Sequence, residues 1–338
     1  MKSSKSNSDA EQHTTESLHD LRVLRIGFLL LENFSLIALG TAVDPLRIAN
    51  MLVERTVYEY ELVGTSGDIV CSSDGIRVVP DKAMAEACDF DAVFVVGPNP
   101  IPRRGIGGIL DWLRLQARQG IALGGLDTGS YFLARAGLLN GYRCTIHWED
   151  QDVLLGQFPN LTVSNRLYEV DRDRYTCSGG VAPLDLMVHL LGLPPGTPSL
   201  AARVLELLVA ERRRGEERQV TSLRQYFGNA HEKLNEVLQV MESNVEEPLS
   251  VEDIADFVGV SQRQVERWFR ERLNRTPAQA YLEIRLLRAR QLLYRTALPL
   301  EEVCARTGFT SLTHFSTRYK AKFNMSPIAD RRRYQKAL

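Results

Sequence analysis

The sequence has no apolar run near the roughly 18 residues that a membrane-crossing helix requires, so an integral membrane protein is not expected. Cysteine is scarce: five residues, at positions 71, 88, 144, 177 and 304. The number is odd and no pair has metal-ligand spacing, which excludes a disulfide framework and gives no reason to expect a metal or other cofactor. Reduced thiols in a cytoplasmic protein are the expectation. Residues 1–20 lack an apolar core and are rich in Ser, Lys, Glu, His and Thr, so they read as a disordered tail and not as a signal peptide. Net charge is also lacking, at −1 over 338 residues. By itself that balance argues against a polyanionic partner.

The distribution of charge reverses this. Residues 251–338 hold 17 Lys+Arg against 9 Asp+Glu, leaving 24 against 33 in the rest of the chain. A basic block beside an acidic one is what a chain shows when one domain meets nucleic acid and the other does not.

From Leu21 onward the pattern is α/β. A near-continuous apolar run over Val23–Leu31 predicts a buried parallel strand. Helical spacing follows over Ile37–Val53, and Tyr60–Thr65 and Arg77–Val79 predict short strands. Ala92–Val96 predicts a strand entering Gly97-Pro98-Asn99-Pro100, and Ile106–Gln119 an amphipathic helix. Ile121–Leu126 is a further strand that runs into Asp127-Thr128-Gly129 and a helix over Ser130–Ala136. Alternating elements of this length predict a mostly parallel, flavodoxin-like sheet with helices on both faces. Gly192–Pro198 is a break, followed by a helix over Leu200–Arg214. Beyond it the pattern is helical only. The domains expected are therefore 21–195, a helical linker over 196–234, and an all-helical domain over 235–338.

An internal repeat carries the strongest signal. Ala255-Asp256-Phe257-Val258-Gly259-Val260-Ser261 recurs in form as Cys304-Ala305-Arg306-Thr307-Gly308-Phe309-Thr310. Glycine supplies the left-handed residue that ends one helix, and the hydroxyl, Ser261 in one copy and Thr310 in the other, caps the next. That is a helix-turn-helix. Each copy continues into a second helix, in which Val265, Trp268 and Phe269, or Leu312, Phe315 and Tyr319, are the expected buried residues. Each closes on a proline, Pro277 and Pro327. Between the copies lies a long helix with Arg285, Arg288 and Arg290 off its apolar face. Two such units can set recognition helices about 34 Å apart, one turn of DNA. The candidate DNA-contacting residues are Ser261, Gln262, Arg263, Gln264 and Arg267 in the first, and Ser311, Thr313, His314, Thr317 and Arg318 in the second. Gln and Arg suit bidentate readout of adenine and guanine. Taken singly each could be a solvated residue; the duplication is what argues for DNA.

These two segments resemble the DNA-binding domain of the AraC/XylS family. The second carries that family's signature, here Gly308-Phe309-Thr310-Ser311-Leu312-Thr313-His314-Phe315 through Tyr319, Lys320, Phe323 and Ser326-Pro327. The resemblance implies base contacts at the outward positions, promoter DNA and RNA polymerase as partners, and a homodimer.

The Gly-x-Asp-Thr-Gly turn between strand and helix resembles the nucleophile elbow of the class I glutamine-amidotransferase-like superfamily, which includes PfpI-type proteases. The resemblance runs from about residue 22 to 191 and includes Val43-Asp44-Pro45-Leu46-Arg47 and Cys144-Thr145-Ile146-His147. This sequence has Asp127 where the enzymes carry a nucleophilic cysteine, and no acidic residue near Ala38 where they hold its partner. Cys144 and His147 are not read as a dyad. The resemblance therefore implies a ligand-sensing domain and not an enzyme, the alternative being an amidase- or protease-like hydrolase with an attached DNA-binding domain. Asp127, Thr128, His147, Trp148, Glu149 and Phe34 are the candidate ligand residues. Asp127 could equally cap its helix, and His147-Trp148-Glu149 could be a strand end with a packed Trp. Regulators of this architecture imply activation of a catabolic operon by a small nitrogen compound such as glycine betaine, carnitine or arginine. Two carboxylates and an aromatic face would suit a cation.

Overall fold

A computed structural model describes residues 22–102, 105–211, 213, 217, 219 and 232–337. The expected tail over 1–20 lies outside the described residues, as does 220–231 of the expected linker. The chain divides into two units, Met1–Gln219 and Val220–Leu338.

In the first unit, strand β1 (Leu24–Leu30) alternates its side chains between two apolar layers, and the layers are closed by helices on opposite faces. In chain order the elements are α1 (Leu36–Leu52), β2 (Tyr58–Gly64), β3 (Val70–Cys71), β4 (Arg77–Val78), β5 (Lys82–Ala83), β6 (Ala92–Val96), α2 (Gly107–Arg118), β7 (Ala122–Leu126), α3 (Gly129–Arg135) and β8 (Arg143–Cys144). A 3-10 turn, Trp148–Asp150, leads into α4 (Gln151–Gln157), β9 (Thr162–Val163), β10 (Tyr168–Asp171), β11 (Arg174–Cys177), α5 (Ala182–Leu191) and α6 (Pro198–Leu207). The seven-stranded sheet has the order β10-β11-β7-β6-β1-β2-β5. All its pairs are parallel except β10 with β11. Phe28, Leu30 and Phe94 face the α1, α5 and α6 layer; Leu29, Val93 and Val95 face the layer of α2, α3 and α4. The unit is a flavodoxin-like α/β domain.

Two expectations change here. The helix predicted over Leu200–Arg214 stops at Leu207. It buries Leu200, Ala201, Val204 and Leu205 in the α1 and α5 layer, so it is a part of the first unit and not of a linker. The β10–β11 hairpin, which the apolar pattern did not suggest, supplies the edge of the sheet beside β7.

The second unit is helical: α7 (Glu232–Ser243), α8 (Val251–Val258), α9 (Gln262–Leu273), α10 (Pro277–Arg295), α11 (Leu300–Ala305), α12 (Leu312–Phe323) and α13 (Pro327–Ala337). The repeat is explicit in the caps. Gly259 and Gly308 have φ of 73° and 70°, the left-handed residues between first and second helices. Helices α9 and α12 both end on an asparagine in the left-handed conformation, Asn274 and Asn324. Helix α10 serves both copies. Its Ala280, Tyr281 and Ile284 join the core of the first, with Val265 and Phe269; its Leu286, Ala289, Leu292 and Leu293 join the core of the second, with Phe315 and Tyr319. Leu312 is half exposed at the start of its helix and Trp268 only partly buried, so the packing residues shared by the copies are Val265/Phe315 and Phe269/Tyr319.

Candidate ligand site and nucleic-acid interface

Strand β7 delivers Asp127 with φ 59°, a conformation that a residue with a Cβ adopts only when its surroundings hold it there. Helix α3 starts immediately afterwards, with Thr128 as its N-cap residue and no side-chain cap. Asp127 is thus the elbow residue and not the helix cap. Its carboxylate and the His147 ring both come close to Gly179. A Cβ on Gly179 would lie 2.6 Å from His147 Cδ2 and 2.8 Å from Asp127 Cγ and Oδ2. Only glycine leaves room for this approach, and Gly179, in the turn after β11, is a site residue that the sequence reading missed. A Ser-Gly-Gly run following a strand was its only signal.

His147 caps the 3-10 turn, its Nδ1 accepting from the Glu149 N–H at 3.4 Å, and Glu149 Oε2 lies 3.9 Å from the same nitrogen. The ring of Trp148 lies 5.5 Å from that of His147. The segment is therefore a helical turn and not the end of a strand. Asp127, His147, Trp148 and Glu149 are all partly exposed, so the structure brings four of the six expected ligand residues to one place.

The other two do different work. Phe34 is fully buried in the α1 layer and cannot offer a ring face to a ligand. Thr128 is 1% exposed and its hydroxyl donates to the Pro98 carbonyl at 2.7 Å, which fixes the loop after β6 against the elbow. Both cysteines near the elbow are buried. Burial pushes the Cys144 thiol up to about 12 and raises that of Cys177, whose sulfur accepts from the Asp127 N–H. A thiolate at either position is disfavoured at neutral pH.

In the second unit, the outward positions of α9 and α12 are exposed as expected. Their hydrogen bonds separate them. Ser261 and Gln264 form a capping box: the Ser261 hydroxyl accepts from the Gln264 N–H, and Gln264 Oε1 accepts from the Ser261 N–H at 2.9 Å. In the second copy the cap is Ser311 and not the expected Thr310, because the helix starts one residue later relative to its glycine: Ser311 accepts from the His314 N–H at 3.3 Å, and Thr317 donates back to the Thr313 carbonyl. These groups hold helix ends and turns. Gln262, whose Nε2 donates to Glu266 Oε1 at 2.9 Å, and Arg263, Arg267, Thr313 and Arg318 are exposed on the same faces. His314 Nε2 accepts from Arg318 Nε at 3.2 Å, so the imidazole orients the arginine.

Arg285, Arg288 and Arg290 of α10 are turned inward instead. Arg285 donates to the carbonyls of Thr307 and Gly308 and lies 4.2 Å over the Phe309 ring. Arg290 pairs with buried Asp330, and Arg288 donates to Gln291 and is largely desolvated, which lowers its pKa to about 10. Glu283, 7% exposed, receives both Arg275 from the end of α9 and Lys322 from the last turn of α12.

A flavodoxin-like domain with a cysteine-free elbow and a duplicated helix-turn-helix define a DNA-binding transcription regulator. Residues 25–192 match the DJ-1/PfpI family, and residues 254–333 match a helix-turn-helix domain family. The HTH-type transcriptional regulator GbdR of Pseudomonas aeruginosa is 43% identical over 307 residues, covering 90% of this chain and 83% of that protein. The HTH-type transcriptional regulator CdhR of the same species is 39% identical over 305 residues, covering 90% of each chain. The crystal structure of an AraC family transcriptional regulator from Pseudomonas putida superposes with a TM-score of 0.51 at 33% identity, over 55% of this chain and 99% of that one. The chain belongs to the AraC-type helix-turn-helix transcriptional regulators that carry a DJ-1/PfpI domain.

Proposed function

We propose that the DJ-1/PfpI-like unit is a sensor without catalytic turnover, that it binds a small cationic nitrogen compound, and that its occupancy switches on a catabolic operon. The observation that carries this reading is the elbow: a carboxylate held at φ 59° beside His147, with Glu149 and Trp148 adjacent and both neighbouring thiols buried. Two carboxylates supply counter-charge and an indole supplies a π face, a combination that favours a quaternary amine such as glycine betaine or carnitine, or the guanidinium of arginine. The helix-turn-helix unit contacts promoter DNA through Gln262, Arg263, Arg267, Thr313 and Arg318. It works in the cytoplasm as a homodimer that engages RNA polymerase.

Calorimetric titration of the full chain with each of the three compounds tests the ligand class. A saturable heat that Asp127→Asn abolishes is expected, and no heat at millimolar concentration with any of them overturns it. Hydrolysis of an amide substrate that disappears in Asp127→Asn would instead favour the hydrolase reading.

A further inference from the structure

The residue that ends the first unit is attached to the backbone on both sides of His147. Gln219 is 4% exposed. Its Oε1 accepts from the Trp148 N–H at 2.8 Å, and its Nε2 lies 2.8 Å from the Ile146 carbonyl, 3.0 Å from that of Arg166 and 3.1 Å from Thr145 Oγ1. The main chain is fastened too. Gln219 N–H donates to the Asn165 carbonyl at 3.0 Å, and the Leu167 N–H donates to the Glu217 carbonyl at 2.9 Å. Further back, Arg213 pairs through both its backbone N–H and its guanidinium with Asp185, which is buried in the first turn of α5. The chain leaving α6 is thus tied down at two places, one at the helix that follows Gly179–Gly180 and one around His147. The second unit begins at the next residue, Val220.

None of these bonds is a rung of the sheet, and they join residues 28 to 74 apart in sequence. They make Gln219 the one described residue that touches the backbone flanking the candidate ligand residue and is itself covalently joined to the DNA-binding unit. A ligand that shifts the main chain at His147 or Trp148 moves the Ile146 carbonyl or the Trp148 N–H, and a buried primary amide that loses one of these partners is left with a costly unsatisfied polar atom. We propose that Gln219 is a positioning residue that transmits occupancy of the Asp127–His147–Glu149 site to the DNA-binding unit: its side chain holds the connector in one arrangement when the site is empty and in another when it is filled. This rests on the sensor reading of the first unit.

The test uses the full chain, glycine betaine as probe, and a reporter driven by the DNA upstream of the genes flanking this one. Gln219→Ala is expected to keep the calorimetric affinity for glycine betaine within about twofold of wild type while the induced-to-uninduced reporter ratio falls below about two. Gln219→Glu, which keeps the acceptor for Trp148 but cannot donate to the two carbonyls, is expected to behave likewise. Retention of more than half the wild-type induction in either variant overturns the proposal. Loss of binding together with induction also overturns it, because Gln219 would then only be supporting the pocket. A measurement on wild type alone covers the case in which the variants do not fold: amide hydrogen exchange in the peptides spanning 145–150 and 213–219 must change together on adding glycine betaine, and no change in 213–219 overturns the proposal. If wild type gives no heat with glycine betaine, it is the ligand class that has failed. The role of Gln219 is then judged from the uninduced reporter, where Gln219→Ala should alter output at least fivefold and an unchanged output overturns it.

Discussion

Two glycines at equivalent places in the repeat are held for different reasons. Gly259 has nothing within 4 Å of where a Cβ would stand, so only its φ of 73° demands glycine. Gly308 has φ 70° and a Cβ there would lie 2.6 Å from the Val245 carbonyl oxygen. Gly259→Ala should therefore cost about 1–2 kcal/mol of left-handed strain. Gly308→Ala should cost that and a further ~1–3 kcal/mol as backbone is pushed apart. Urea unfolding of the full chain followed by helical circular dichroism checks the order, and equal losses would contradict it. Asp330 is a second single-residue case. Burial would raise its pKa, but bonds from Tyr319, Tyr294 and Arg290 outweigh that and hold it below the ordinary 3.8. A depressed carboxylate stabilises the fold above its unfolded pKa and loses that contribution as pH falls through the folded one. The melting temperature of the helical unit should fall as pH drops below about 4, and Asp330→Asn, already less stable at neutral pH, should show a flatter acid limb.

Among the elements, α10 decides how the two helix-turn-helix copies sit against one another. Its two halves lie in different cores, and its polar residues reach the working parts of both. Arg285 holds the second turn by two carbonyls, and Glu283 gathers cations from the ends of α9 and α12. Arg285→Ala removes two charge-assisted bonds and a cation–π contact, a loss of about 2–4 kcal/mol. Because those bonds serve only the second turn, DNase protection should weaken at the half-site bound by α12 before it weakens at that of α9. Uniform weakening would argue that the copies move as one body. On the helices themselves, Arg267→Ala and Arg318→Ala should each cost about 1–3 kcal/mol on the selected DNA and relax its sequence preference locally. His314→Ala should weaken binding less than Arg318→Ala does, since the imidazole only orients that arginine.

For the whole molecule, the near-neutral charge conceals a division of labour. The basic surplus lies in the helical unit and the acidic one in the rest. DNA affinity should therefore fall steeply as salt rises, while the heat of ligand binding changes little. Parallel titrations between 50 and 200 mM salt would show it, these concentrations spanning roughly the range over which phosphate contacts release counterions. A shallow salt slope for DNA would mean that few of the cations face phosphate.

Much of this is legible in the sequence. Strands β1, β6 and β7, the helices that follow them, both glycine turns and the second copy of the repeat were each predicted to within a residue or two. Their causes act over short stretches of chain: apolar period, a hydroxyl before a helix, a glycine where only a left-handed residue fits. The same holds for the elbow, whose motif lies within five residues. What the sequence could not decide was how each polar or aromatic side chain would be used. Phe34 went to the core, Thr128 to the Pro98 carbonyl, Gln264 to a cap, and Arg285 and Arg290 of α10 to the buried Thr307 and Asp330. Gly179, marked only by a Ser-Gly-Gly run, came to border the site, and Gln219, with no local mark, came to brace the backbone beside it. A side chain's role depends on which groups are left unsatisfied around it, and those groups come from strands and loops tens of residues away. Only the folded chain brings them within hydrogen-bonding distance.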